Sequence, residues 1–150
     1  MHSPHPEHRH ENPLPAPLLR HRPDAEPAGS GCSGKTTSEI QSCFSTRLAQ
    51  AEAQLKRYTE AALRRMQGPG IAARTQADFR KGETAWRAFR EAECKAVAGR
   101  WSDGTIRTSM ELSCRLKLTE ERTYELWQNW LTAPDRATPI LPEPAISPQN

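Results

Sequence analysis

The chain has 150 residues, 35% of them hydrophobic, and a formal net charge of +3. Seven of its 13 prolines precede Cys32, five follow Thr132, and only Pro69 lies between. Proline extends neither helix nor sheet, so residues 32–132 form the one foldable domain; residues 1–31 and 133–150 read as disordered Pro-rich tails, the first also His-rich. No stretch of about 18 apolar residues occurs, so nothing reads as a membrane-spanning helix.

The first helical pattern runs from Ser38 to Met66. Ile40, Phe44, Leu48, Ala51, Leu55, Tyr58, Ala62 and Met66 recur at steps of three and four, the period of one helix face. Thr36 and Glu39 have the spacing of a capping box at its start, and Gly68-Pro69-Gly70 stops it. A second helix is predicted from about Ala72 to Val97, with a stripe of Ile71, Thr75, Phe79, Gly82, Trp86, Phe89, Glu93 and Val97. Gly82 within it is expected to admit a neighbouring helix closely. Gly99 to Gly104 reads as a loop, with Asp103-Gly104 as its turn. The third helix is predicted from Thr108 to Leu131, with Thr108 and Glu111 as a second capping box. Leu112, Leu116, Thr119, Thr123, Leu126, Trp127 and Trp130 share one face. Met110 and Cys114 fall opposite, to be covered by the segment around Cys32 to Thr37. No window alternates as a strand would. The expected fold is all-α: an antiparallel three-helix bundle, or a helical hairpin plus a third helix, about 40 Å long.

Cys32, Cys43, Cys94 and Cys114 are spaced by 11, 51 and 20 residues, with no CxxC. That argues against a zinc ribbon or a thioredoxin-type redox motif. Antiparallel packing brings the start of the first helix, the end of the second and the start of the third to one end, where all four cysteines then lie. Two disulfide staples follow, and with them an oxidising compartment. Cys32–Cys43 with Cys94–Cys114 is favoured, because the second bridge would span the short Gly99–Gly104 connection. Cys43–Cys94 with Cys32–Cys114 remains open.

Catalytic chemistry finds little support. His2, His5, His8, His10 and His21 all lie in the N-terminal tail, so the domain holds no Ser-His-Asp or Cys-His constellation and no His-ligated zinc. The tail histidines read as polar disordered chain; no metal or cofactor is expected. Glu91 with Glu93, and Glu120 with Glu121, diverge around their helices and do not form a glycosidase-like pair. Residues Gly29 to Thr36 match the phosphate-loop expression in full. The stretch before them, Arg22-Pro23-Asp24-Ala25-Glu26-Pro27, cannot be a buried strand, so the match is read as chance. The domain carries 17 Lys and Arg against 12 Asp and Glu, a balance of +5, but the signs are interleaved, and nucleic acid is not the expected partner. Trp86, Phe89, Trp127 and Trp130 are expected in the core. Trp101, in the loop, is expected to be exposed and available to a partner.

Trp86-Arg87-Ala88-Phe89-Arg90-Glu91-Ala92-Glu93-Cys94 resembles the W-x-x-[YF]-R-x-x-x-C segment of the lysozyme inhibitor LprI-like family. Gly104-Thr105, then Cys114, Thr119, Arg122 and Leu126, resemble its following loop and C-x4-T-x2-R-x3-L helix. Cys43 and Tyr58 match its first helix more loosely, since Ala51-Glu52-Ala53-Gln54-Leu55-Lys56-Arg57-Tyr58 lacks the Asp and the Leu-Asn pair of D-x-x-L-N-x-x-Y. The resemblance covers about Cys32 to Leu131. It implies a small helical bacterial envelope protein with disulfides, secreted or periplasmic, that binds lysozyme or another envelope protein without catalysis and takes no small-molecule substrate. Met1 to Gly31 contains no apolar h-region, its longest apolar run being Ala16-Pro17-Leu18-Leu19. Three readings answer this conflict: a misassigned start codon, an export route with no visible signal peptide, or a protein that stays inside the cell. The last leaves a second functional reading, a cytosolic basic helical adaptor or nucleic-acid-binding module.

Overall fold

The computed structural model describes residues 32–132 and 138–146. The N-terminal tail, with its histidines and the first part of the phosphate-loop-like stretch, lies outside the described residues. Three helices follow one another: α1 (Thr37–Arg65), α2 (Arg74–Gly99) and α3 (Arg107–Leu126), the last continuing into a π-helical turn, Trp127–Leu131. No strand occurs among the described residues.

Local chemistry fixes the start of α1. The Thr36 hydroxyl accepts from the Glu39 amide at 3.2 Å, and the Glu39 carboxylate accepts from the Thr36 and Lys35 amides at 3.0 and 2.8 Å. The reciprocal box satisfies amides that the first helical turn leaves unpaired. At the other end, Gly70 takes the left-handed conformation, φ 82°, that lets the chain reverse into α2. The start of α3 differs from expectation. Ile106 is its N-cap and no side chain caps it; Glu111 lies 3.5 Å from Arg115 in an ion pair.

The helices run up, down, up. Leu48 and Ala51 of α1 pack with Leu116 of α3, joined by Phe44 and Leu112, while Leu55, Tyr58, Ala61, Ala62 and Met66 pack with Leu126 and Leu131 farther along. α1 and α3 are therefore parallel neighbours. α2 runs against α3, so Phe79 meets Trp130 edge-on at 6.0 Å and Cys94 meets Cys114. α3 is the central helix, packed on both others. Each fully buried Leu in such a core contributes about 1.5–3 kcal/mol.

Central placement explains the first correction. The Cys114 side of α3 is covered by α2 through Cys94, not by the segment Cys32–Thr37, which is tied to α1 by Cys43. α2 is turned slightly from the expected stripe. Ile71, Phe79 and Trp86 of that stripe pack against the core, but the buried residues of α2 are Glu83, Arg90, Cys94 and Ala98, each one position on from Gly82, Phe89, Glu93 and Val97. Gly82 faces open space and admits no helix, and Phe89 is 53% exposed instead of packed in the core. The face that α2 buries is partly ionic, and apolar periodicity does not register it.

The C-terminal segment departs from the expected disorder. Thr138 to Ile146 lies along the bundle without regular structure. The Tyr58 hydroxyl donates to the Pro142 carbonyl at 2.6 Å, and Trp127 Nε1 donates to the Leu141 carbonyl at 3.0 Å. Ile140 N donates to the Leu131 carbonyl at 2.9 Å, Leu141 packs on the core and Pro144 is buried. A Pro-rich chain needs no partner strand when buried aromatic donors take its carbonyls.

Candidate functional site

The residues that carry the sequence motifs meet at the seam between α2 and α3. Arg90 is buried against the central helix. Its Nη1 donates to Thr119 Oγ1 at 2.8 Å and lies 3.1 Å from Glu52 Oε1, its Nη2 lies 3.4 Å from Glu91 Oε1, and its guanidinium stands 5.3 Å from the Trp86 ring centroid. Thr119 passes the contact on by donating to the Arg115 carbonyl at 2.7 Å. Arg115 in turn pairs with Glu91 and Glu111. One turn farther along, Arg122 donates to Glu83 through Nε at 2.9 Å and Nη2 at 2.5 Å, and to Glu125 through Nη1 at 2.9 Å. Burial works against the Arg122 charge, but the hydrogen bonds and charges of Glu83 and Glu125 outweigh it and hold its pKa above the ordinary arginine value.

This seam has the parts of a clamp. Each of its charged side chains is bonded to another group of the same chain, although Glu83 Oε2, Arg90 Nε and Arg115 Nε are buried without a hydrogen-bond partner, and the helical repeat explains the pairing. Counting back from Cys94 by four, eight and eleven residues gives Arg90, Trp86 and Glu83, all on the side of α2 that faces Cys114 and Thr119. Glu83 and Arg122 oppose each other across the helices because α2 and α3 are antiparallel. Glu83 and its ion pair escape apolar periodicity altogether; the position of Cys94 carries the signal that places them. Leu126 is buried at the lower end of the seam.

The two disulfides are Cys32–Cys43 and Cys94–Cys114, with Cα separations of 5.6 and 5.5 Å, and no described cysteine is free. Cys94 is completely buried. The Cys94–Cys114 bridge closes the connection that contains Trp101, Gly104, Thr105 and Ile106. Within this loop Trp101 N, Ser102 N and Gly104 N donate to the carbonyls of Ala98, Gly99 and Trp101, and Arg107 N to that of Gly104. A Cβ on Gly104 would stand 3.0 Å from the Trp101 carbonyl oxygen, so only glycine fits this turn without displacement. Thr105 is exposed, and Trp101 and Ile106 are 45% and 36% exposed. Phe89 is the motif residue that neither the clamp nor the core uses.

No group of three or more His, Cys, Asp or Glu residues among the described ones is arranged to hold a metal. The carboxylates of α3 and of its contacts with α2 are committed to arginine and lysine: Glu83 to Arg122, Glu91 to Arg115 and Arg90, Glu120 to Arg47, Glu121 to Lys117. Thr36, the last residue of the phosphate-loop-like stretch, spends its hydroxyl on the α1 cap. A groove of about 560 Å³ runs between α1 and the C-terminal segment, lined by Arg47, Gln50, Gln54, Arg57, Glu120 and Ile146 among others.

The family model of the lysozyme inhibitor LprI matches residues 30–126, more than half of the chain and the whole of the clamp. The chain belongs to the lysozyme inhibitor LprI family. No curated protein and no solved structure matches it. The family boundaries start just ahead of the first disulfide and stop at Leu126, before the π-helical turn and the C-terminal segment. In this LprI-family chain Trp127, Trp130 and Leu141, which lie past the matched residues, pack against the core at its lower end.

Proposed function

We propose that this LprI-family protein is a non-catalytic binding protein of the bacterial envelope, secreted or periplasmic, that inhibits a lysozyme by docking on it. The observation that carries this reading is the family match over the disulfide-clamped bundle. Membership supports a lysozyme as the partner. The two disulfides support an oxidising compartment and weigh against a cytosolic adaptor, whose thiols would be kept reduced. The bonding of the seam supports binding without chemistry, since its charged groups are spent on holding one helix to another. A rigid, stapled scaffold also suits an inhibitor, because a preorganised surface loses little entropy on docking.

The experiment is lysis of purified peptidoglycan by lysozymes of several classes, followed by turbidity, with the disulfide-intact protein added at increasing concentration. The expected result is a saturable loss of lytic rate with at least one class. Full lytic activity at micromolar protein with every class refutes the inhibitor reading.

A further inference from the structure

We propose that the α2–α3 loop, Gly99–Ile106, is the docking element, and that it enters the carboxylate-lined, glycan-binding cleft of the lysozyme. This inference rests on the inhibitor reading above and names the surface that would execute it. Three observations converge on the loop. It presents large apolar side chains to solvent, Trp101 and Ile106, at 45% and 36% exposure. Tryptophan, with an apolar body and a polar N–H, is among the side chains that most often anchor a protein interface.

The loop is also held in shape. The Cys94–Cys114 bridge closes it, its amides bond back on its own carbonyls, and Gly104 fits tightly under the Trp101 carbonyl. Ser102 sits at φ 41°, a left-handed conformation costly for a residue with a side chain. A strained turn on a stapled base is fixed before binding, so little ordering remains to be done on docking.

The charges select the target. Arg100 near the start of the loop and Arg107 just past its end are exposed and are in no ion pair among the described residues, with Asp103 the one acid between them. A domain at +5 does not complement the outer surface of a basic lysozyme. A glycosidase cleft is different: it carries two carboxylates that flank the scissile bond, a local acidic site whatever the net charge of the enzyme. A cationic loop tipped with an aromatic ring complements that cleft while the rest of the basic surface stays outside. The exposed Phe89 stands on a regular helix without a braced loop around it, and in the groove on α1 Arg47 already faces Glu120 at 3.8 Å.

The test uses the full chain with its disulfides intact and a lysozyme that the wild type inhibits. Trp101→Ala, and the double variant Arg100→Ala with Arg107→Ala, are each expected to raise the concentration for half inhibition roughly tenfold or more. Arg80→Ala, which removes an exposed charge from α2 away from the loop, should shift it less than about twofold. Thermal melts of all three should match the wild type, because the substituted side chains are exposed. Chitotriose, which binds within the same glycan cleft, should compete with the protein for lysozyme. Loop variants that inhibit like the wild type, or a complex indifferent to chitotriose, overturn the loop assignment and leave the inhibitor reading standing. A wild type that inhibits no lysozyme overturns both.

Discussion

Replacing Arg90 by alanine tests whether the family motif builds the fold. Three contributions are lost. The hydrogen bond from a charged donor to Thr119, buried at 2.8 Å, is worth about 1.5–3 kcal/mol. Stacking over the half-buried Trp86 ring adds about 0.5–1 kcal/mol. Packing of the aliphatic stem between α2 and α3 adds about 1 kcal/mol. The ion pairs to Glu52 and Glu91 add little, because those carboxylates are 46% and 38% exposed and water can take them over. The variant should therefore lose about 3–5 kcal/mol, read by urea unfolding followed by far-UV circular dichroism with both disulfides intact. Thr119→Val keeps the shape, and Arg90 keeps Glu52, so it should cost about 1 kcal/mol. The Arg90/Thr119 double-mutant cycle should then return a coupling energy on the order of 1 kcal/mol. A loss below about 1 kcal/mol for Arg90→Ala, with no coupling, would refute the clamp and leave the motif to be explained by contacts at the surface.

Further outcomes follow from the same geometry. Cys94→Ser with Cys114→Ser opens a loop of sequence separation 20 and should cost about 3 kcal/mol on the chain-entropy account, lowering the melting temperature by roughly 12–24 °C. Opening Cys32–Cys43 should cost less than its chain-entropy value of about 2.8 kcal/mol, because the exposed entry segment can fray while α1 persists; differential scanning calorimetry separates the two. Arg122→Ala leaves the buried Glu83 carboxylate without its partner and should cost about 3–5 kcal/mol by chemical denaturation. Deleting the chain after Pro139 removes the acceptors of Tyr58 and Trp127 and uncovers Leu141's packing site; tryptophan fluorescence should shift to the red, with a loss of about 2–4 kcal/mol.

Much of this architecture is legible in the amino-acid sequence. The step pattern from Ile40 to Met66 marks the buried face of α1, because one continuous apolar stripe suffices for a helix with one main neighbour. The Thr36–Glu39 box is legible because both partners are local. The buried face of α2 is legible only to within one position, since it meets α3 with Glu83 and Arg90, charged residues that a count of apolar side chains assigns to solvent. The ion pairs that make their burial tolerable connect residues 39 positions apart for Glu83–Arg122, beyond any local pattern. The Thr108–Glu111 spacing has a capping form without a cap, because the helix begins earlier, at Arg107, and Glu111 serves Arg115. The path of Thr138–Ile146 is hidden for a similar reason: its carbonyls are held by Tyr58 and Trp127, and nothing in a Pro-rich run announces a distant donor. In the candidate site, Trp101's exposure is readable from its loop position, whereas the brace of Gly104 and the left-handed Ser102 emerge only from backbone geometry.

The most direct measurement is isothermal titration of the disulfide-intact protein into a purified lysozyme whose lytic rate it lowers, run with and without saturating chitotriose. The account predicts a saturable isotherm with a one-to-one endpoint and an apparent affinity that falls when chitotriose occupies the cleft. Heats no larger than dilution at protein concentrations up to tens of micromolar, or an isotherm unchanged by chitotriose, would contradict it.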